Sequence, residues 1–186
     1  MKKLLNVVSM DPSLRNWGVS HLTLSSDLDI LVQSVDLFQS EETKSKTIKQ
    51  NSSDITAANY IYACTRKYVE AVRPNVIVIE VPIGSQSARA MASYGVCIGL
   101  IGSIKSWGIP IIEVSPFDVK KVIGKRETTK QEIVDWVLTS NPETPFPLYR
   151  GQINMSKAEH IADSIVATYA SLNKPQMKEL IHAYYN

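Results

Sequence analysis

Four polar residues are the candidates for chemistry in this chain of 186 residues. Asp11 and Glu80 each end a run of apolar residues, and His160 and Asp163 are three residues apart in a later segment. Converging carboxylates repel one another unless a cation neutralises them, and oxygen-rich sites suit Mg²⁺ or Mn²⁺. Two such ions about 3.5–4 Å apart can hold the attacking and the leaving oxygen of a phosphodiester. A histidine beside them could bind metal or move protons, so the four residues together predict a metal-dependent phosphodiester site.

Each of these residues also has a purely structural interpretation. Asp11 precedes a Pro-Ser pair and could simply form a turn. Glu80 could be the polar end of a buried strand, although an uncompensated carboxylate there is costly. Asp163 could face solvent, and a lone His160 could be a partly buried histidine with its hydrogen bonds satisfied. The joint occurrence of the four residues is what favours a site.

Strand patterns position the first two acids. Residues 4–24 indicate a buried strand that ends at Asp11, a tight turn, and a second strand that begins near Trp17. The run VIVIE, which ends at Glu80, is the most apolar strand and is expected to lie centrally in the sheet. The first strand and a strand that follows a helix can be neighbours in a mixed sheet, which would place Asp11 beside Glu80. Two further strands are predicted at residues 30–38 and 109–114.

Helical periodicity fills the rest of the chain. The segment 156–172 is predicted as a helix with Ser156 and Glu159 in a capping box, and it carries His160 and Asp163 on one face. An earlier helix is expected at 55–72, capped by Ser53 or Asp54 after a polar loop. The other predicted helices span residues 88–107, 115–123, 128 or 129 to 140, and 175–185, with a loop at 141–155. The order of elements predicts one α/β domain over residues 1–186, a mixed sheet with flanking helices.

Composition narrows the class of protein. A hydrophobic fraction of 44% and a charged fraction of 20% are ordinary for a globular domain, and a net charge of +2 does not by itself indicate nucleic-acid binding. Cys64 and Cys97 form no C-x-x-C pair, which predicts free thiols in a reducing compartment. The apolar run after the first lysines is too short for a signal peptide, and no segment spans a bilayer. A cytoplasmic location and no membrane partner are expected.

Basic residues cluster around Gly124. Cations beside helix termini are a natural phosphate site, although a solvated charged face is the common alternative and Glu127 and Glu132 dilute the cluster. Weaker candidates for a DNA contact are the lysines of the polar loop, Lys44, Lys46 and Lys49. The cluster itself comprises Lys120, Lys121, Lys125, Arg126 and Lys130.

Four segments in order resemble one family over residues 11–167: MDPSLRNWGVS, VIVIE, VKKVIGKRETTKQEI and AEHIADSIVA. The chain is similar to the RuvC-like Holliday junction resolvases of the RNase H-like nuclease superfamily. That resemblance implies a five-stranded mixed sheet, with a three-strand antiparallel meander plus two parallel strands, flanked by helices. It also implies a homodimer that nicks four-way DNA junctions in pairs, with two Mg²⁺ ions per active site and Mn²⁺ as a substitute. The short length suggests a phage or viral version.

The resemblance assigns roles to residues. The metal and catalytic acids correspond to Asp11, Glu80 and Asp163, and the fourth metal position falls on His160, where members carry Asp or His. A catalytic lysine near the scissile phosphate corresponds to Lys130, and another to Lys120 or Lys121.

Two positions depart from the family. Ser13 stands where glycine is usual, so that turn must adopt a conformation open to a residue with a Cβ atom. Ile83 stands where an aromatic residue often unstacks bases, and isoleucine can wedge into DNA but stacks less well.

Two other functions stay open from the sequence. The same fold could cleave an RNA–DNA hybrid, as ribonuclease H proteins do, or the chain could be a catalytically silent module that binds branched DNA. The intact set of acids argues against the silent module. Sugar kinases and actin-like ATPases also begin with an Asp-bearing hairpin, but they need a duplicated domain, for which 186 residues leave no room.

Overall fold

A five-stranded mixed sheet forms the centre of the protein. The computed structural model describes residues 3–41, 49–125 and 127–186. The strands are β1 (Leu5–Asp11), β2 (Asn16–Leu24), β3 (Ile30–Gln39), β4 (Val76–Glu80) and β5 (Ile111–Val114), in the order β3-β2-β1-β4-β5. The first three form an antiparallel meander, and β4 and β5 run parallel to β1. The predicted fold class is therefore confirmed. The middle strand is β1, and β4 lies between it and the edge strand β5.

Helices cover both faces of this sheet. Alternate residues of a strand point to opposite faces, so Val8 and Met10 of β1 pack with α1 (Gln50–Val72) and α2 (Ala88–Lys105). Leu5 and Val7 belong to the opposite core. That core is completed by the remaining helices, α3 (Pro116–Ile123), α4 (Lys130–Ser140), α5 (Met155–Ser171) and α6 (Pro175–Tyr185). Burial on both faces explains why β1 and β4 read as continuous apolar runs. No described helix is long and apolar enough to cross a membrane.

The helix α5 lies directly on β2. A Cβ atom added at Gly18 would be 2.1 Å from the backbone carbonyl oxygen of His160, so the two backbones touch only because residue 18 is glycine. Two residues further along β2, the Ser164 hydroxyl donates to Ser20 Oγ over 3.0 Å in the buried interior. These contacts fix the height and the rotation of α5 above the sheet.

The start of α1 differs from the prediction. The helix begins at Gln50 with Lys49 as its N-cap, and Ser53 and Asp54 are buried within it instead of capping it. The Asp54 carboxylate accepts hydrogen bonds from Arg15, over 2.9 Å, and from Arg89. The capping prediction was wrong because this carboxylate serves a distant ion pair, which local sequence does not show.

Other ends of elements also needed correction. The helix α5 begins at Met155 with Asn154 as N-cap, and no Ser156–Glu159 capping box forms, since Ser156 Oγ donates to Asn154. The segment predicted as a loop at 141–155 contains a short hairpin of β6 (Leu148–Tyr149) and β7 (Gln152–Ile153). The predicted caps Ser115 and Thr129 are confirmed, each within a capping box. Ser13 has no positive φ, so its turn needs no glycine.

Adding a methyl group at Gly18 tests how α5 is seated. We expect Gly18→Ala to lower the free energy of unfolding by about 3 kcal/mol, because the clash is with backbone that cannot rotate away. The control is Gly102→Ala on α2, where an added Cβ meets nothing within 4 Å and the helix should gain about 0.5–1 kcal/mol. Urea denaturation followed by circular dichroism measures both. Equal changes in the free energy of unfolding at the two positions would contradict the close contact between Gly18 and α5.

Candidate active site

Asp11 and Glu80 lie side by side at the edge of the sheet that is formed by the carboxyl ends of β1 and β4. The parallel register of β1 and β4 pairs Met10 with Ile79, and the next residue of each strand is the acid. Both side chains follow the alternation of the strand residues that face α5. The predicted proximity of the two strand ends therefore holds in the fold.

The helix α5 brings the other candidates to the same edge. His160 Nδ1 lies 2.8 Å from Asp11 Oδ2, and an ionised carboxylate can only accept, so the imidazole donates. Asp163 lies one turn further along α5, where Asp11 and His160 both act on its charge. Glu159 adds a carboxylate that the prediction assigned to a cap, with its Oε1 3.5 Å from His160 Nε2. The structure thus places all four predicted residues together and adds a fifth. We call this group, Asp11, Glu80, Glu159, His160 and Asp163, the acidic edge.

Two of these acids hold their protons unusually tightly. Burial, followed by the charges of Asp11 and Asp163, raises the pKa of Glu80 to about 8 even though Lys120 opposes the shift. Burial, with Asp11 next, raises the pKa of Asp163 to about 7. His160 and Lys130 lower that pKa, but they do not offset the burial. The edge therefore carries more negative charge than its own cations balance.

The imidazole of His160 responds to the same charges. Burial lowers its pKa, but the hydrogen bond and charge of Asp11, together with Glu159 and Asp163, outweigh burial and raise the pKa above its ordinary value. The ring is consequently a cation over more of the neutral pH range, and it screens Asp11 from its carboxylate neighbours.

These side chains have the donor chemistry of a divalent-cation site without its final geometry. In residues 3–41, 49–125 and 127–186, no three His, Cys, Asp or Glu side chains are arranged to hold a metal ion as they stand. Asp11 instead bonds to His160. Raised carboxyl pKa values are nevertheless what a cation would reverse, since the mutual repulsion that raises them would be neutralised. The donor set therefore fits hard cations such as Mg²⁺ or Mn²⁺.

The predicted basic residues occupy different positions around this edge. Lys130, at the start of α4, forms an ion pair with Glu159, and Lys125 forms one with Glu132. Lys120 and Lys121 line an open groove of about 440 Å³. Lys49 caps α1, and Ile83 is 61% exposed after the end of β4. Three predicted contacts, Lys44, Lys46 and Arg126, lie outside the described residues.

A cavity of about 800 Å³ lies away from the acids. It sits where α1 and α2 end, at the sheet edge opposite the strand ends that carry Asp11 and Glu80. Its lining includes Arg73 and Trp107 and none of the candidate residues.

Two residues of the site were missed from sequence. Glu159 directly precedes His160, so its adjacency to a candidate ligand was an available signal that the capping interpretation masked. Gly18 stands inside a strand, and an isolated glycine in a strand signals close approach of another backbone. Gly18 pairs with Asp11 across the ladder, so it contributes to the site through the position of α5.

Solved structures that share this fold include two of RuvC and one of a mitochondrial Holliday junction resolvase. T. thermophilus RuvC in complex with a Holliday junction substrate is 16% identical, with a TM-score of 0.65 over 90% of this chain and 96% of that one. A second Thermus thermophilus RuvC structure is 17% identical, with a TM-score of 0.62 over 97% and 95% of the chains. The yeast mitochondrial Holliday junction resolvase Ydc2 is 13% identical, with a TM-score of 0.62 over 97% of this chain and 81% of that one.

Comparison by sequence adds nothing to this likeness. No protein-family model matches the chain, and no curated protein sequence does. At such low identities the structural likeness establishes the fold alone. The chain has the RuvC-like form of the RNase H-like fold.

The raised pKa of Glu80 predicts a pH-dependent cost in stability. The folded pKa of about 8 exceeds the unfolded value of about 4.3, so the folded chain binds more protons between these limits and loses stability as pH rises through them. We expect Glu80→Gln to stabilise the metal-free protein at pH 8 by on the order of 2 kcal/mol and to change little at pH 4.5.

Urea denaturation in EDTA across this pH range measures the effect. The control is Glu179→Gln on α6, which replaces an exposed carboxylate far from the edge and should leave the pH profile unchanged. Parallel profiles for the wild type and Glu80→Gln would show that Glu80 is not held protonated by its surroundings.

Proposed function

We propose that this protein is a metal-dependent nuclease that resolves Holliday junctions and other branched DNA by paired nicking. The observation that carries the proposal is the meeting of Asp11, Glu80, His160 and Asp163 at one end of the sheet of a RuvC-like fold. One structural neighbour is described as a complex with a Holliday junction substrate, which supports branched DNA as the ligand class.

The four residues would hold two Mg²⁺ ions, or Mn²⁺ in their place. When bound, such cations supply a water that deprotonates near neutral pH and neutralise charge on the phosphate. Glu80 and Asp163 would lose the protons that burial and repulsion now favour. His160 would keep Asp11 oriented through the bond from Nδ1 to Oδ2, or exchange that bond for a place among the ligands.

Lys130 would stabilise the charge that develops on the phosphate. Its side chain is 71% exposed and reaches across to Glu159, so the ammonium group lies at the surface of the acidic edge. A cation positioned there can donate to an oxygen of the scissile phosphate. Flanking phosphates would contact Lys120, Lys121 and Lys125, with Arg126 as a further expected contact and Ile83 as a wedge between bases.

Paired nicking requires two active sites, and the resemblance implies that a homodimer provides them. The helix α2 exposes the apolar side chains of Met91 and Ile98 on its outer surface. Apolar side chains at helical spacing on one exposed face suit contact with another subunit.

A mass measurement tests the dimer. We expect light scattering at micromolar concentration to give twice the chain mass of 20.7 kDa, and Ile98→Glu to shift the protein toward one chain mass. The control is Ile55→Glu, since Ile55 is 71% exposed on α1 and lies outside the proposed α2 contact surface. A monomeric wild-type protein would undercut paired nicking without excluding single-strand nicking.

Cleavage assays test the nuclease itself. We expect wild-type protein with Mg²⁺ or Mn²⁺ to nick four-way junctions in preference to linear duplex and RNA–DNA hybrid. Asp11→Asn and Glu80→Gln should each lower the cleavage rate by more than about 100-fold, since loss of even an indirect partner of a metal site costs 10–100-fold. Junction binding in the absence of metal should survive, because lysines supply most of the attraction.

The control for these variants is Glu179→Gln, which removes an exposed carboxylate of α6 and should cleave like the wild type. Cleavage of the hybrid but not of junctions would assign the chain to ribonuclease H-type activity. Intact junctions, flaps and forks after incubation with either metal would refute the proposal and favour a silent DNA-binding module.

A further inference from the structure

An exposed aromatic ring stands among lysines beside the acidic edge. Phe117 is 68% exposed on the first turn of α3, and it has no aromatic partner among the described residues. Lys120 and Lys121 follow it at three and four residues, which places all three side chains on one side of the helix. The three line the groove of about 440 Å³ together with Gly124 and Lys125.

The chain path sets this ring at the same edge of the sheet as the acids. The N–H of Val81, the residue after Glu80, donates to the carbonyl of Val114 at the end of β5 over 2.8 Å. Phe117 follows Val114 by only three residues. Lys120, one turn after Phe117, is close enough for its charge to act on Glu80. The groove therefore lies at the same end of the sheet as the carboxylates.

The support beneath Phe117 is rigid. The adjacent Asp118 accepts a hydrogen bond from the Ser115 backbone over 2.8 Å and forms an ion pair with Lys174 at 2.8 Å. These contacts complete the capping box at the start of α3 and tie its first turn to the start of α6. Phe117 is thus held outward on a fixed turn, outside both hydrophobic cores, where its face is accessible to a ligand.

We propose that Phe117 stacks on an unpaired base at the branch point of DNA while Lys120 and Lys121 hold the neighbouring phosphates. Single-stranded nucleic acid is bound by this combination of an aromatic platform and a cationic groove, because every base offers a flat face whatever its sequence. The proposal rests on the proposed function, since it assigns the nature of the DNA that this surface recognises. It requires bases that have left the helical stack, which a branch supplies and an intact duplex does not.

Binding without metal tests the ring separately from cleavage. We expect Phe117→Ala to weaken binding to a four-way junction and to single-stranded DNA by about 10-fold in EDTA, and to leave binding to intact duplex unchanged. Phe117→Trp should retain both affinities. Lys121→Ala should weaken binding to all three DNAs, since its contact is with phosphate. A junction with 2-aminopurine at the branch should change fluorescence with wild-type protein and Phe117→Trp, and not with Phe117→Ala.

The matched control is Tyr60→Ala, which removes an aromatic residue that is 43% exposed on α1, on the opposite face of the sheet from α3, and should change none of these readouts. If Phe117→Ala bound DNA with wild-type affinity and gave the wild-type 2-aminopurine signal, the proposal would be overturned. Junction cleavage by the wild-type protein would still uphold the proposed function. Absence of cleavage by wild type on every branched DNA would refute the function instead. A changed solution mass for Phe117→Ala with unchanged DNA affinity would identify the ring as a protein contact and also overturn the proposal.

Discussion

The absence of a side chain at Gly18 sets the geometry of the acidic edge. The carbonyl oxygen of His160 occupies the space that a Cβ atom at residue 18 would need, and Gly18 is paired with Asp11 across the β1–β2 ladder. The contact that seats α5 on the sheet is therefore the same contact that brings His160 within 2.8 Å of Asp11. If α5 were raised by the thickness of a methyl group, the distance from His160 to Asp11 would exceed that of a hydrogen bond. The acids on the helix would also be separated from the acids on the strands.

Close seating of α5 also creates the electrostatic problem of the site. It removes Glu80 and Asp163 from water, and burial is the first cause of the raised pKa of each. Lys120 and Lys130 oppose these shifts but do not cancel them. A fold that needed only stability would place apolar or well-paired side chains at these strand ends, because buried like charges are costly. A cluster of partly buried carboxylates at one end of the sheet is the arrangement that the proposed cations would neutralise.

The extent to which the sequence predicts this structure depends on the range of each interaction. Continuous apolar runs identify β1 and β4, and the cap residues Ser115 and Thr129 identify the starts of α3 and α4. The start of α1 was mispredicted because Asp54 pairs with Arg15, 39 residues away in the chain. Glu159 was interpreted as part of a capping box, whereas its carboxylate pairs with Lys130, which precedes it by 29 residues. The predicted strand ends located Asp11 and Glu80 in the sequence, whereas the contact that orients them depends on the packing of Gly18 against α5.

The basic side of the site divides into a fixed part and an adaptable part. The fixed part is α3, which Asp118 ties to Ser115 and Lys174 and which presents Lys120 toward Glu80. The adaptable part is Lys130, an exposed side chain that neutralises Glu159 beside His160. A phosphate that bound Lys130 would compete with Glu159 for the ammonium group. Glu159 would then regain an unbalanced charge next to His160 and Asp163, which increases the attraction of the edge for cations. In the proposed nuclease, phosphate binding and cation binding would therefore be coupled through a single lysine.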